Sequence, residues 1–194
     1  MCTVVRGKEG ALKNPRYVLG EPDLIQVYQT EGLTFEKRKE IRYSIAVTLA
    51  EAFRKLGSDR DEIEMLREAA AAKPDKAVYI RMADLMMEMG RAQDATEALR
   101  QAALLEPNDF VISARLAAAF AAMGDASAAL RYGVRAFNAN PTDVQTALLV
   151  AEIYAQMGDL TAAMQILDDA MKATANHPEL QTASARLRQG LDLR

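Results

Sequence analysis

The sequence predicts an all-α fold: a solenoid of about four helix pairs, closed by a C-terminal capping helix. Three observations predict it. The first is a fixed period. Gly57, Gly90, Gly124 and Gly158 stand 33, 34 and 34 residues apart, and Pro74, Pro107 and Pro141 each follow their glycine by 17. The second is a register of small residues. Ala50, Ala83, Ala117 and Ala151 each lie seven residues before their glycine, and Ala69, Ala102, Ala136 and Ala170 each lie twelve after it. The third is composition: the chain is rich in Ala and has ten Met, with only ten Gly and six Pro in 194 residues, which favours helix over sheet.

The elements follow in order. Residues 1–33 form an irregular N-terminal arm outside the period. Its first twenty residues carry Arg6, Lys8, Lys13 and Arg16 against Glu9 alone and read as loop. Asp23 to Thr30 is apolar enough to dock as a strand-like segment or a short helix, and Gly32 breaks it. Thr34 caps a helix running through Phe35 and Ile41 into Ala46 and Leu49, so this first helix is about two turns longer than its counterparts.

The repeat array then spans 34–177, in units 43–75, 76–109, 110–143 and 144–177. In each unit, apolar residues recur at three- and four-residue steps on both sides of the glycine, so each half is an amphipathic helix. In the second unit Tyr79, Met82, Ala83 and Met86 share one stripe, and Ala95, Ala98, Leu99 and Ala102 share another. Gly90 stands where the first helix ends, a place for left-handed backbone, and Pro107 stops the second. Residues 178–194 supply the capping helix, Pro178 to Leu193, with an apolar stripe of Leu180, Ala183, Ser184 and Leu187 that covers the last open face.

These residues resemble the tetratricopeptide-repeat family. Tyr79, Met82, Ala83, Met86, Gly90, Ala95, Leu99, Ala102 and Pro107 carry the likeness most fully. Ala117, Phe120, Gly124, Ala129, Ala136 and Pro141 continue it, followed by Ala151, Tyr154, Gly158, Ala163, Leu167 and Ala170. Two departures stand out. Glu62 occupies the small-residue place held elsewhere by Ala95, Ala129 and Ala163, so the helices of the first unit are expected to pack at a looser angle. Ala175 stands where the family prefers proline.

Composition excludes several classes of function. Twenty-four Lys and Arg against 27 Asp and Glu give a net charge of −3, which offers nothing to nucleic acid or an anionic membrane. Aromatics are 6% with no Trp, too few for a base-stacking platform. One Cys and one His cannot make a disulfide framework or a Cys/His zinc site. No lipidation or export signal surrounds Cys2, and no run of about 18 apolar residues exists to insert in a membrane, so a cytoplasmic, reducing location is expected.

No catalytic residue emerges. His177 sits in the turn before Pro178 with no nucleophile near it in sequence. The carboxylates Asp59, Asp61, Glu62 and Glu64, and the pair Asp168 and Asp169, read as helix-start charges or solvated faces. Lys37-Arg38-Lys39, between Glu36 and Glu40, reads as a solvated helix face. Among the clustered methionines, Met82 and Met86 belong to the core and Met87 to the other face. No metal, cofactor or enzymatic activity is expected.

The resemblance implies a right-handed α-α superhelical solenoid that acts as a binding module, its first helices lining a concave groove. Carried over residue by residue, it gives Val47, Glu51 and Arg54 from the first unit. The second unit gives Ile80, Arg81, Asp84, Met87 and Glu88. The third gives Val111, Ala114, Arg115 and Ala118, and the fourth Leu148 and Glu152. The small residues Ala114 and Ala118 leave room for a partner peptide or helix. The family's clamp for acidic C-termini of chaperone partners is matched only by Arg115, with Val47, Glu51, Arg81 and Val111 at its other places, so apolar contacts are expected to dominate. Two alternatives stand beside this adaptor or scaffold. One is self-assembly into a homo-oligomer through the arm or the capping helix; the other is a small bacterial secretion chaperone.

Overall fold

The computed structural model describes residues 34–190. Among them are nine α-helices and no strand. The chain divides into two compact units, parted after Pro74. The readings made for residues 1–33, and for the end of the capping segment at 191–194, lie outside the described residues.

The first unit is a helix pair. Helix α1 (Phe35–Leu56) has 22 residues, against 13 in the first helix of each later pair. The expected extra length is present, and Thr34 begins it, its Oγ1 accepting from the Lys37 amide at 3.3 Å. Helix α2 (Asp59–Ala72) opens with Asp59, Asp61 and Glu62 in its first turn, where carboxylates favour the helix dipole. The two helices close around Ala46, Ala50, Phe53, Ile63, Leu66 and Ala69.

One reading fails here. Glu62 is not on a solvated face: it is buried, at 2% exposure. It falls in the same column as Ala95, Ala129 and Ala163, each fully buried. That column faces the partner helix whatever residue fills it. The charged run Lys37-Arg38-Lys39 does face water, with exposed ion pairs Lys37–Glu40 at 3.6 Å and Lys39–Glu36 at 3.5 Å.

The second unit stacks three helix pairs and a terminal helix. They are α3 (Lys76–Glu88) with α4 (Ala92–Leu105), α5 (Phe110–Ala122) with α6 (Ala126–Ala139), and α7 (Val144–Gln156) with α8 (Leu160–Ala173), followed by α9 (Pro178–Arg188). Each helix packs on the next, and α5 also touches α7, so the first helices of successive pairs adjoin. The capping helix covers the end as expected. Leu180, Ala183 and Leu187 join Ala147, Ala151, Ala163 and Leu167 in one buried cluster. It stops at Arg188, sooner than the Leu193 read from the sequence, with Gln189 as its C-cap.

The repeat glycines hold the turns. Gly90 has φ +71° and Gly158 φ +83°, left-handed values that an alanine would adopt only with strain. Gly90 N–H donates to Met87 O at 2.9 Å and Arg91 N–H to Met86 O at 2.7 Å, closing the end of α3. A capping series the sequence reading passed over completes the repeat. Asp75, Asp109 and Asp143 stand 34 residues apart, and each caps the first helix of its pair. Asp125 and Asp159 cap α6 and α8. The 34-residue period was itself the signal for them.

Candidate functional site: a groove on the second unit

The groove residues come from α3, α5 and α7 because their helices carry two kinds of face. In α5, Ile112, Leu116, Ala117 and Phe120 are buried, while Val111, Ala114, Arg115 and Ala118 are half-buried on the other side. In α3, Val78, Met82, Ala83, Leu85 and Met86 are buried, while Ile80, Arg81, Asp84 and Met87 are half-buried. The division of the methionines is as expected. Tyr79, placed in the core stripe, is half-buried, and Val78 and Leu85 take up the deeper positions.

Six expected residues, Glu88 among them, meet in one place. Arg81, Asp84, Met87, Arg115 and Ala118 line a hollow of about 320 Å³, together with Glu88, Ala83 and Leu99. Leu99 belongs to α4 and is fully buried, so it adds an apolar floor that periodicity assigned only to the core. Ile80, Val111, Ala114, Leu148 and Glu152 lie outside that hollow, all half-buried on α3, α5 or α7. Leu148 packs at the edge of the terminal core cluster. Val47 (half-buried) and Glu51 and Arg54 (exposed) stand on α1 of the first unit.

The central polar feature is an ion pair. Arg115 Nε donates to Asp84 Oδ1 at 2.7 Å, and Arg115 Nη2 donates to Asp84 Oδ2 at 3.1 Å. Two parallel bonds fix the planar guanidinium against the carboxylate. Asp84 is therefore both a groove residue and the partner of Arg115, a relation that sequence position alone did not reveal. It also removes the one agreement with a carboxylate clamp, because Arg115 already holds a carboxylate.

The remaining candidates are structural. His177 is the N-cap residue of α9, and its N–H donates to Thr174 Oγ1 at 3.4 Å. Asp169 accepts from Gln165 Nε2 at 2.8 Å and from Lys172 Nζ at 2.9 Å; the two bonds, Gln165's first, hold its carboxyl below the usual range. Among the described residues, no cluster of three or more His, Cys, Asp or Glu side chains could hold a metal, and no helix is long and apolar enough to cross a membrane.

The geometry can now be set beside known proteins. A family model described as tetratricopeptide repeat matches residues 120–187, from the end of α5 through α9. The chain carries a segment similar to the tetratricopeptide-repeat family. Its solved neighbours are of the same architecture. MamA from Desulfovibrio magneticus RS-1 matches with a TM-score of 0.68 at 18% identity, over 77% of this chain and 85% of that one. A tetratricopeptide repeat protein from Parabacteroides merdae gives 0.68 at 17%, over 77% and 61%. PilF of Pseudomonas aeruginosa gives 0.65 at 14%, over 78% and 70%. At such identities the likeness is one of fold. No curated protein matches the sequence. The matched span holds Ala129, Ala136, Ala163 and Ala170, all essentially buried positions of the small-residue register.

Proposed function

We propose that the protein is a non-enzymatic interaction module that holds a peptide or helix of a partner protein in the groove of its second unit. One observation carries the reading. The α3–α5 face combines a hollow of about 320 Å³ with half-buried Met87 and Ala118, and with a polar bar, Asp84–Arg115, across it. Apolar side chains of the partner would be buried against Met87, Ile80, Ala118 and Leu148. The flexible thioether of Met87 fits partners of irregular shape. The Asp84–Arg115 pair, with Arg81 and Glu152, sets orientation. The likeness to tetratricopeptide repeats over residues 120–187 supports the reading, since such arrays commonly bind other proteins.

The test is the double replacement Ala114→Gln and Ala118→Gln. Both alanines are half-buried on one face of α5, so longer polar side chains fill the trough without entering the core. The expected result is loss of partner capture from native lysate with helix content unchanged by circular dichroism. Undiminished capture of the same partner by the folded variant would overturn the groove assignment.

A further inference from the structure

A second and larger hollow lies on the opposite side of α5. Its volume is about 470 Å³. Leu104 of α4 and Tyr132 of α6 line it, above Ile112 and Leu116 of α5, which are buried. Leu104 is 75% exposed, a large aliphatic side chain left in water beside an apolar depression. Tyr132 is held in place. Its ring stacks on Phe120 with centroids 5.5 Å apart and planes 1° from parallel.

The charge around this hollow is mostly of one sign. Arg100 and Arg135 line it, and the Arg131 guanidinium stands 5.1 Å from the Tyr132 ring centroid. Arg135 is anchored, donating to the Pro107 carbonyl and to Asn108 Oδ1. Glu97 is the acidic residue of the lining; it accepts from Gln101 Nε2 at 3.0 Å and lies 3.8 Å from Arg100. Two lining arginines against one glutamate, with Arg131 beside the lining Tyr132, around an apolar depression, suit an aliphatic segment rich in acid and free of base.

The chain carries such a segment. Residues 21–31 read Glu-Pro-Asp-Leu-Ile-Gln-Val-Tyr-Gln-Thr-Glu. They hold Glu21, Asp23 and Glu31 with no Lys or Arg, a charge of −3, and four large apolar side chains from Leu24 to Tyr28. The charge is specific to this stretch, because residues 1–20 sum to four basic minus one acidic, or +3.

We propose that residues 21–31 of one copy dock in the α4–α6 hollow of a second copy. Leu24, Ile25, Val27 and Tyr28 cover Leu104 and Tyr132, and the flanking carboxylates meet Arg100 and Arg131. The contact joins two different surfaces, so each copy added leaves another arm and another hollow unless two copies exchange arms.

Sedimentation equilibrium of the full chain tests this. The average mass is expected to rise above 21.3 kDa as concentration increases. Arg100→Glu with Arg131→Glu places like charges opposite the arm and is expected to weaken association by about tenfold or more. Both side chains are exposed, so the fold is retained, which circular dichroism verifies. Asp23→Arg with Glu31→Arg should weaken it likewise, and mixing the two charge-reversed chains should restore it. Ala114→Gln with Ala118→Gln should leave it unchanged, which separates this contact from the groove. A mass fixed at one copy overturns the proposal. So does association that survives either charge reversal undiminished, or a mixture that fails to restore it.

Discussion

A Cβ placed on Gly133 would stand 2.7 Å from Val150 Cγ2. Gly133 lies inside α6, where its missing side chain lets α7 approach, and Val150 is fully buried at the contact. Glycine in a helix interior costs about 1 kcal/mol relative to alanine, so on propensity alone Gly133→Ala would stabilise. Packing decides otherwise. Val150 is stiff at its β-carbon and cannot turn aside, and overpacking of this kind costs roughly 1–3 kcal/mol. Gly133→Ala is therefore expected to lower the urea midpoint. Adding Val150→Ala should yield a double-mutant coupling of the opposite sign. A rise in the midpoint with Gly133→Ala alone would show that the helices have room to part.

The Asp84–Arg115 pair is a different case. The two side chains are 33% and 37% exposed, so water and salt screen them despite the two-point geometry. Asp84→Asn is expected to cost under about 1 kcal/mol in chemical denaturation at low salt. The difference from wild type should shrink at high salt, where the Debye length falls to about 3 Å. A salt-independent loss of several kcal/mol would mean that the pair acts as a buried one.

Acid should weaken the second unit through Asp109. Burial raises its carboxyl, but the Lys76 ammonium and the Ile112 and Val111 amides together outweigh burial and hold it below the usual value of 3.8. Lys76 Nζ donates to it at 2.7 Å and, at the same distance, to Glu106 Oε2. A carboxyl depressed in the folded state adds stability above the unfolded value, and that stability is lost as pH falls through the folded value. The loss begins near pH 3.8 and continues below it. Asp109→Asn keeps a good cap but cannot ionise. Guanidinium denaturation in steps from pH 7 downward should show the gap between wild type and variant closing below pH 4. A constant gap would remove Lys76 from the account.

Ala175 carries strain that a glycine would relieve. The turn after α8 holds Ala175 at φ +50° and Asn176 at φ +64°, whereas the other positive-φ positions among the described residues are all glycines. Left-handed backbone costs an alanine about 1–2 kcal/mol, and glycine's greater freedom in the unfolded chain returns about 0.4–1 of that. Ala175→Gly is expected to raise the melting midpoint modestly, by an amount worth about 0.5–1 kcal/mol. A fall would show that the alanine methyl makes a contact worth more than the strain.

Much of the architecture was legible because the period is a property of backbone positions. The left-handed glycines, the buried alanine columns, the long first helix and the stripe of the capping helix all stand where the spacing put them. What was misread has a physical cause. Val78 and Leu85 were not assigned to the core, because the first helix of a pair is covered from two sides and buries an arc wider than one stripe. Glu62 was read both as a place in the small-residue column and as a helix-start or solvated charge; it is buried, because the column's inward direction is set by helix pairing.

The candidate site divides the same way. The sequence by itself determined which helix faces stay half-open, since the three- and four-residue spacing fixes that on each helix separately. It could not show that Arg115 spends its guanidinium on Asp84, that Leu99 floors the same hollow, or that Val150 fills the space above Gly133. Each of these joins residues on different helices. The distances between such residues depend on how closely two backbones approach, which only the packed tertiary structure decides.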